Sequence, residues 1–131
     1  MKRMILILLM MTLLLTGCAV PKPATEANTY RQITMQEAVE MMEKEENYII
    51  LDVRTHEEFA AGHIPGAIVI PNETIGTEDI PQLPDKDQLI MVYCRSGNRS
   101  KQASDKLVKL GYTNIVEFGG IIDWPGEVVT D

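Results

Sequence analysis

Five apolar residues in an unbroken row, Leu89-Ile90-Met91-Val92-Tyr93, run directly into the polar stretch Cys94-Arg95-Ser96-Gly97-Asn98-Arg99-Ser100. A strand with one wet face alternates polar and apolar residues. A continuous apolar run of strand length has to be buried on both faces, which is the condition of an inner strand in a parallel sheet. Downstream, Lys101 to Leu110 reads as a helix: Ala103, Leu107 and Leu110 fall at i, i+4 and i+7 and make one apolar stripe, and Gly111 stands where a left-handed C-terminal cap is needed. Strand, tight polar turn and helix follow one another without a linker, and a thiol sits at the junction.

That junction has a chemistry of its own. The first turn of a helix leaves backbone N–H groups unpaired and carries about half a positive elementary charge, so it attracts anions. Gly97 lets the loop curl so that successive N–H groups point at one centre, and Arg95 and Arg99 add full positive charge around it. Both effects favour thiolate over thiol and make Cys94 the candidate nucleophile. An inert structural cysteine is the alternative, and a polar, twice-basic, glycine-containing loop directly behind it argues against that.

The segment resembles the active-site loop of the rhodanese family of sulfurtransferases, Cys-x-x-Gly-x-Arg-Ser. Other stretches carry the same resemblance in the same order: Leu51-Asp52-Val53-Arg54, Glu58-Phe59, Gly62-His63-Ile64-Pro65-Gly66-Ala67, and Gly119-Gly120 with Trp124. It spans residues 30 to 126. The resemblance implies an α/β fold with a mostly parallel five-stranded sheet and helices on both faces, in agreement with strands that alternate with helical patterns. It also implies sulfane-sulfur transfer by double displacement. Cys94 would attack the outer sulfur of a donor such as thiosulfate, sulfite would leave, and a nucleophilic acceptor (a thiol, cyanide or a protein) would remove the sulfur from the Cys94 persulfide. In this reading Arg95 and Arg99 hold the donor's anionic end, and the backbone N–H groups of Arg95, Ser96, Gly97, Asn98 and Arg99 hold the persulfide.

Two other functions fit parts of the pattern. Related domains acting as phosphatases or arsenate reductases use a Cys-x5-Arg loop, but here the spacing from Cys94 to Arg99 is Cys-x4-Arg, a tighter ring better matched to a sulfur atom than to a tetrahedral oxyanion. A persulfide-binding or redox-sensing surface module would need the same cysteine without efficient turnover. No metal cluster, Walker-type loop or dinucleotide fingerprint is present, so no cofactor or metal is indicated.

The N-terminus addresses location. Met1-Lys2-Arg3 is a basic start, and Met4 to Leu15 is an apolar stretch short for a membrane span, as in a signal peptide. It ends in Leu15-Thr16-Gly17-Cys18, which resembles the bacterial lipobox, whose cysteine is acylated and becomes the first residue. The expected organisation is therefore a lipoprotein signal over residues 1–17, a lipidated Cys18 with a tether through residue 29, and one rhodanese-like domain over 30–131, exported and anchored outside the cytoplasm. An ordinary secretory leader or an uncleaved anchor is the alternative. A lipid-bearing Cys18 cannot pair with Cys94, which leaves an unpaired thiol in an exported protein and asks for a functional reason. From Cys18 onward ten basic side chains face nineteen acidic ones, a charge of −9, which makes nucleic acid a poor partner. Exposed charges farther than about 8 to 10 Å are screened at physiological salt, so the local field of the arginines and the helix start decides what the loop binds.

Elsewhere the chain reads as scaffold. Residues 19–29, with Pro21 and Pro23, lack apolar periodicity and can extend at most about 35 to 40 Å. Strands are expected over Tyr30–Ile33, Tyr48–Val53, Ala67–Ile70 and Asn114–Phe118. Thr34 with Glu37, and Thr55 with Glu58, have capping-box spacing. Met35, Ala38, Val39 and Met42 are the expected inner face of the first helix. A structural pairing of Asp52 or Arg54 with neighbours is favoured over a role near the site, His63 is expected to serve a tight turn rather than as a base, His56 to face solvent, and Trp124 to pack. Pro71 to Gln88 reads as irregular with one helical turn.

Overall fold

The computed structural model describes residues 28–131; the expected leader, Cys18 and the tether up to residue 27 lie outside them. Five strands, β1 (Arg31–Gln32), β2 (Tyr48–Asp52), β3 (Ile68–Val69), β4 (Leu89–Cys94) and β5 (Ile115–Gly120), form one sheet in the order β1-β5-β4-β2-β3. Every pair is parallel. β4 lies in the middle, with β2 along one side from Tyr48 opposite Leu89 to Asp52 opposite Tyr93 and β5 along the other. This is why its apolar run is unbroken: Ile90, Met91, Val92 and Tyr93 are each fully buried.

Three helices cover the sheet, α1 (Met35–Lys44), α2 (His56–Ala61) and α3 (Asn98–Lys109). Because successive strand residues point to opposite faces, β4 sends Ile90, Val92 and Cys94 to one side and Met91 and Tyr93 to the other. Ile90, Val92 and Cys94 pack with Leu51, Val53, Ile115 and with Ala103 and Leu107 of α3. Met91 and Tyr93 pack with Ile50, Phe118, Ala38 of α1 and Phe59 of α2. α3 thus covers the face that carries the cysteine, while α1 and α2 cover the other. The expected sheet with helices on both faces is the one observed.

Both capping boxes form: Thr34 and Thr55 accept from the N–H groups of Glu37 and Glu58, whose carboxylates return the bond. Four expectations need correction. α3 begins at Asn98, three residues before Lys101, because Gly97 adopts a left-handed conformation at the N-cap (φ 111°) and turns the chain into the helix at once. Asn98 and Ser100 are weak helix formers, so propensity hid that first turn. On α1 it is Met41, not Val39, that packs on the core with Met35, Ala38 and Met42; at 100° per residue Met41 lies closer to the Ala38 direction than Val39 does. β1 and β3 are only two residues each, narrower than expected. β5 runs on to Gly120 because a register shift, Val92 opposite Glu117 and then Cys94 opposite Gly120, lets it follow β4 to the cysteine. The irregular stretch after Pro71 contains one 3-10 turn, Asn72–Thr74, tied to α3 by Lys106 Nζ, which donates to the Asn72 carbonyl at 2.9 Å.

Candidate active site

Cys94 ends β4 and is 1% exposed. Its Sγ accepts the Gly97 N–H at 3.0 Å, and its S–H donates to Ser100 Oγ at 3.4 Å. Both partners belong to the start of α3, so the sulfur faces the positive end of the helix dipole. The loop is held from behind by the end of β5: a Cβ at Gly120 would run into the Arg95 carbonyl oxygen, and Ile122 N–H donates to that same oxygen at 3.3 Å. Glycine at 120 is therefore a requirement of close backbone approach.

The loop side chains divide. Arg95, Ser96 and Asn98 are exposed and Gly97 is buried. Arg99 is partly covered and grips Glu58 of α2 with two bonds, Nη1 to Oε1 at 2.7 Å and Nη2 to Oε2 at 3.0 Å. The Arg99 hydrogen bonds, with smaller help from Thr55, outweigh partial burial and hold the Glu58 carboxyl down to about 2. Glu58 in turn raises the pKa of Arg99. Arg95 has no side-chain hydrogen bond among the described residues, so the two arginines are not equivalent.

Behind the sulfur lies an acid that sequence reasoning did not single out. Glu117 of β5 is 3% exposed, and its Oε1 accepts Ser100 Oγ–H at 2.7 Å and Gly119 N–H at 2.9 Å. Strand parity carried the signal: Glu117 alternates with Val116 and shares the α3 face with Ile115, where an apolar residue is the rule.

The remaining candidates sit apart from the sulfur. Asp52 and Arg54 form a closed buried network in which Arg54 Nε and Nη2 donate to the Asp52 carboxylate, Nη2 also donates to the Gly62 carbonyl at 2.7 Å, and Tyr93 Oη donates to Asp52 Oδ2 at 2.7 Å. Burial disfavours the Arg54 charge, but bonding to Asp52 and its charge outweigh this and raise the pKa; burial also pushes Tyr93 up. His63 stacks on Phe59 at 3.6 Å, its Nδ1 lies 2.8 Å from the Phe59 carbonyl and its Nε2 lies 3.1 Å from Asp131 Oδ1. It has no hydrogen bond to Cys94, and His56 is exposed. Trp124 packs on the α1–α2 face and donates Nε1–H to the Glu127 carbonyl. Among the described residues no three metal-binding side chains converge. Surface concavities of about 430 Å³ along Ile70 to Gln82 and about 290 Å³ beside Arg31 and Gln88 are not lined by Cys94.

The profile of the family described as Rhodanese-like domain matches residues 34–126, which takes in Asp52, Glu58, the whole Cys94 loop and Glu117. The chain belongs to the rhodanese-like domain family. Among its relatives, the thiosulfate sulfurtransferase PspE of Escherichia coli is 37% identical over 73 residues, covering 56% of this chain and 70% of its own. A sulfurtransferase of Allochromatium vinosum is 40% identical over 80 residues, 60% of this chain and 73% of its own. The crystal structure of a rhodanese-related protein from Thermoplasma volcanium superposes with a TM-score of 0.65 at 30% identity, over 78% of this chain and all of that one. This rhodanese-like domain therefore shares its family with named sulfurtransferases and its fold with a solved rhodanese-related protein.

Proposed function

We propose that this rhodanese-like domain transfers sulfane sulfur through a persulfide on Cys94, with thiosulfate or a related anion as donor. The observation that carries the reading is the Gly97 N–H aimed at Sγ at 3.0 Å from the start of α3, in a loop bearing Arg95 and Arg99. The sulfur of Cys94 attacks the donor's outer sulfur, a new S–S bond forms, the bond to the sulfonate sulfur breaks, and sulfite leaves with the electron pair. Negative charge then rests on the outer sulfur, within reach of the N–H groups at the start of α3. Arg95 is the exposed cation for the donor's anionic end. Arg99 spends two N–H donors on Glu58 and keeps others for the same task. A thiol, cyanide or protein acceptor attacks the outer sulfur and restores Cys94. The name borne by the Escherichia coli relative supports thiosulfate as donor.

Intact-mass spectrometry tests this. With thiosulfate the protein should gain one sulfur atom and release sulfite in equal amount, and cyanide should return it to its starting mass. Cys94→Ser should do neither, because a serine hydroxyl is not appreciably ionised at neutral pH. Gain at another residue, or none, sinks the mechanism. A phospho-cysteine formed from an aryl phosphate would indicate the phosphatase reading instead, and persulfide that loads but does not discharge would indicate a sulfur-holding module.

The lipobox-like Leu15-Thr16-Gly17-Cys18 supports a second proposal, that the domain is exported and anchored to a bacterial membrane by a diacylglyceryl group on Cys18. Two acyl chains give stable anchoring where one is marginal. Cys18→Ala should release the protein from membranes washed at alkaline pH; retention of the substituted protein would refute the anchor.

A further inference from the structure

Glu117 is a buried acid on the cysteine's face of the sheet that sulfur transfer, as described so far, leaves without a task. Its Oε1 lies 2.7 Å from Ser100 Oγ, nearer than the uncharged Gly97 and Gly119 carbonyl oxygens at 2.9 Å and 3.4 Å, and the sulfur of Cys94 lies 3.4 Å from the same hydroxyl. A hydroxyl has one proton to give. With that proton on the carboxylate, Ser100 turns a lone pair to the sulfur, and the sulfur keeps its contact by being S–H. If the thiol proton is lost to water, thiolate and carboxylate compete for a single hydroxyl proton, with two buried negative charges one oxygen atom apart. If the proton goes to Glu117 instead, the carboxyl O–H donates to Ser100 and Ser100 donates to Sγ, and each contact survives with the cluster's charge unchanged.

We propose that Cys94 and Glu117 share one proton through Ser100, and that Glu117 takes up by this route the proton Cys94 gives up when it attacks. As Sγ forms its bond to the donor's outer sulfur, the S–H bond breaks and its proton passes to Ser100 Oγ. The original Ser100 O–H proton passes to Glu117 Oε1, and sulfite leaves with the electron pair of the broken S–S bond. The proton returns when the acceptor frees the sulfur. Glu117 touches neither donor nor sulfur, so it is a positioning residue acting through Ser100. The Gly119 N–H at 2.9 Å fixes its carboxylate, and its register neighbours Val92 and Gln32 are uncharged. The charges that bear on the sulfur are Arg99 of α3, with Glu58 of α2 and Glu73 of the 3-10 turn facing that arginine, and the exposed Arg95 of the loop. The Asp52–Arg54 pair belongs to the opposite face and is closed on itself.

The proposal rests on Cys94 being the nucleophile of the reading above, and its test needs no sulfur donor, so either can fail alone. The rate at which neutral iodoacetamide alkylates Cys94 in the folded protein follows the ionised fraction of the sulfur. A shared proton holds that fraction nearly level: the wild-type rate should change less than about threefold from about pH 6 to 8, while Glu117→Gln, which keeps size and acceptor oxygen but takes no proton, should climb about tenfold per pH unit until ionisation is complete. Parallel profiles in the two proteins, level or steep, overturn the proposal. Should Glu117→Gln fail to fold, thiolate ultraviolet absorbance of the wild type decides: a level, partial signal supports sharing, and a steep or fully developed one refutes it.

Discussion

β2 and β4 lie side by side, run in the same direction and end in register, Asp52 opposite Tyr93, yet their polar ends do opposite things. At the end of β2 the polar groups are consumed: the Asp52 carboxylate takes Arg54 N–H, the Arg54 guanidinium and the Tyr93 hydroxyl, while Arg54 also caps the Gly62 carbonyl. At the end of β4 the loop leaves Arg95 exposed and directs Gly97 N–H at a single sulfur. Both ends sit at the sheet edge where ligands of open parallel sheets bind. The difference teaches that edge position is not enough for a site; what matters is whether charge and hydrogen-bonding capacity remain unspent.

The largest expected effect breaks the closed end. Asp52→Ala leaves Arg54 buried at 6% exposure with its main partner gone, and loss of one partner from a buried ion pair costs about 3 to 5 kcal/mol. Urea unfolding should show a loss of this size, while the protein that remains folded still takes sulfur onto Cys94. A variant as stable as wild type would show that the network contributes no stability. Next, at the open end, Arg99→Ala should lower kcat/KM for sulfur transfer about tenfold to a hundredfold, since a charged hydrogen bond contributes about 1.5 to 3 kcal/mol, with only a small change in unfolding midpoint. An unchanged kcat/KM would remove Arg99 from the site and assign it wholly to Glu58.

These two ends were not equally legible in the sequence. The Cys94 loop could be read because strand, glycine turn and helix are contiguous, and local pattern is enough to place them. A structural pairing of Asp52 or Arg54 with neighbours could be expected for the same reason, but not that the two bond to each other and to Tyr93, forty-one positions from Asp52. Glu58 was legible only as a capping residue; its grip on Arg99 joins positions forty-one apart, and no local rule brings α2 over the start of α3. Glu117 was hidden differently. Strand parity places it inward, but an acid in an otherwise apolar strand acquires meaning only when Ser100, seventeen positions earlier, is seen beside it. The start of α3 was misplaced because Asn98 and Ser100 are weak helix formers and the turn into the helix is made by the left-handed Gly97.

The smallest expected effect concerns the contact that links α2, just beyond the closed end, to the loop at the open one. Glu58 titrates near 2 in the fold against an ordinary 4.5, chiefly through its hydrogen bonds from Arg99. A carboxylate whose folded pKa is depressed contributes stability that is fully present above the ordinary value and is lost as pH falls toward the folded one, so the window here is pH 4.5 down to 2. Both side chains remain about 30% exposed, at 27% for Arg99 and 31% for Glu58, so water screens the pair and the contribution should be about 1 kcal/mol or less. Glu58→Gln separates the charge from the cap, because glutamine also serves the third position of a capping box. The stability gap between wild type and Glu58→Gln should therefore be constant from about pH 7 to 5 and close between about pH 4.5 and 2.5. The absence of a gap at any pH would assign the contribution of Glu58 to the cap, which glutamine keeps, and would leave Arg99 as available to an anionic donor as Arg95 is.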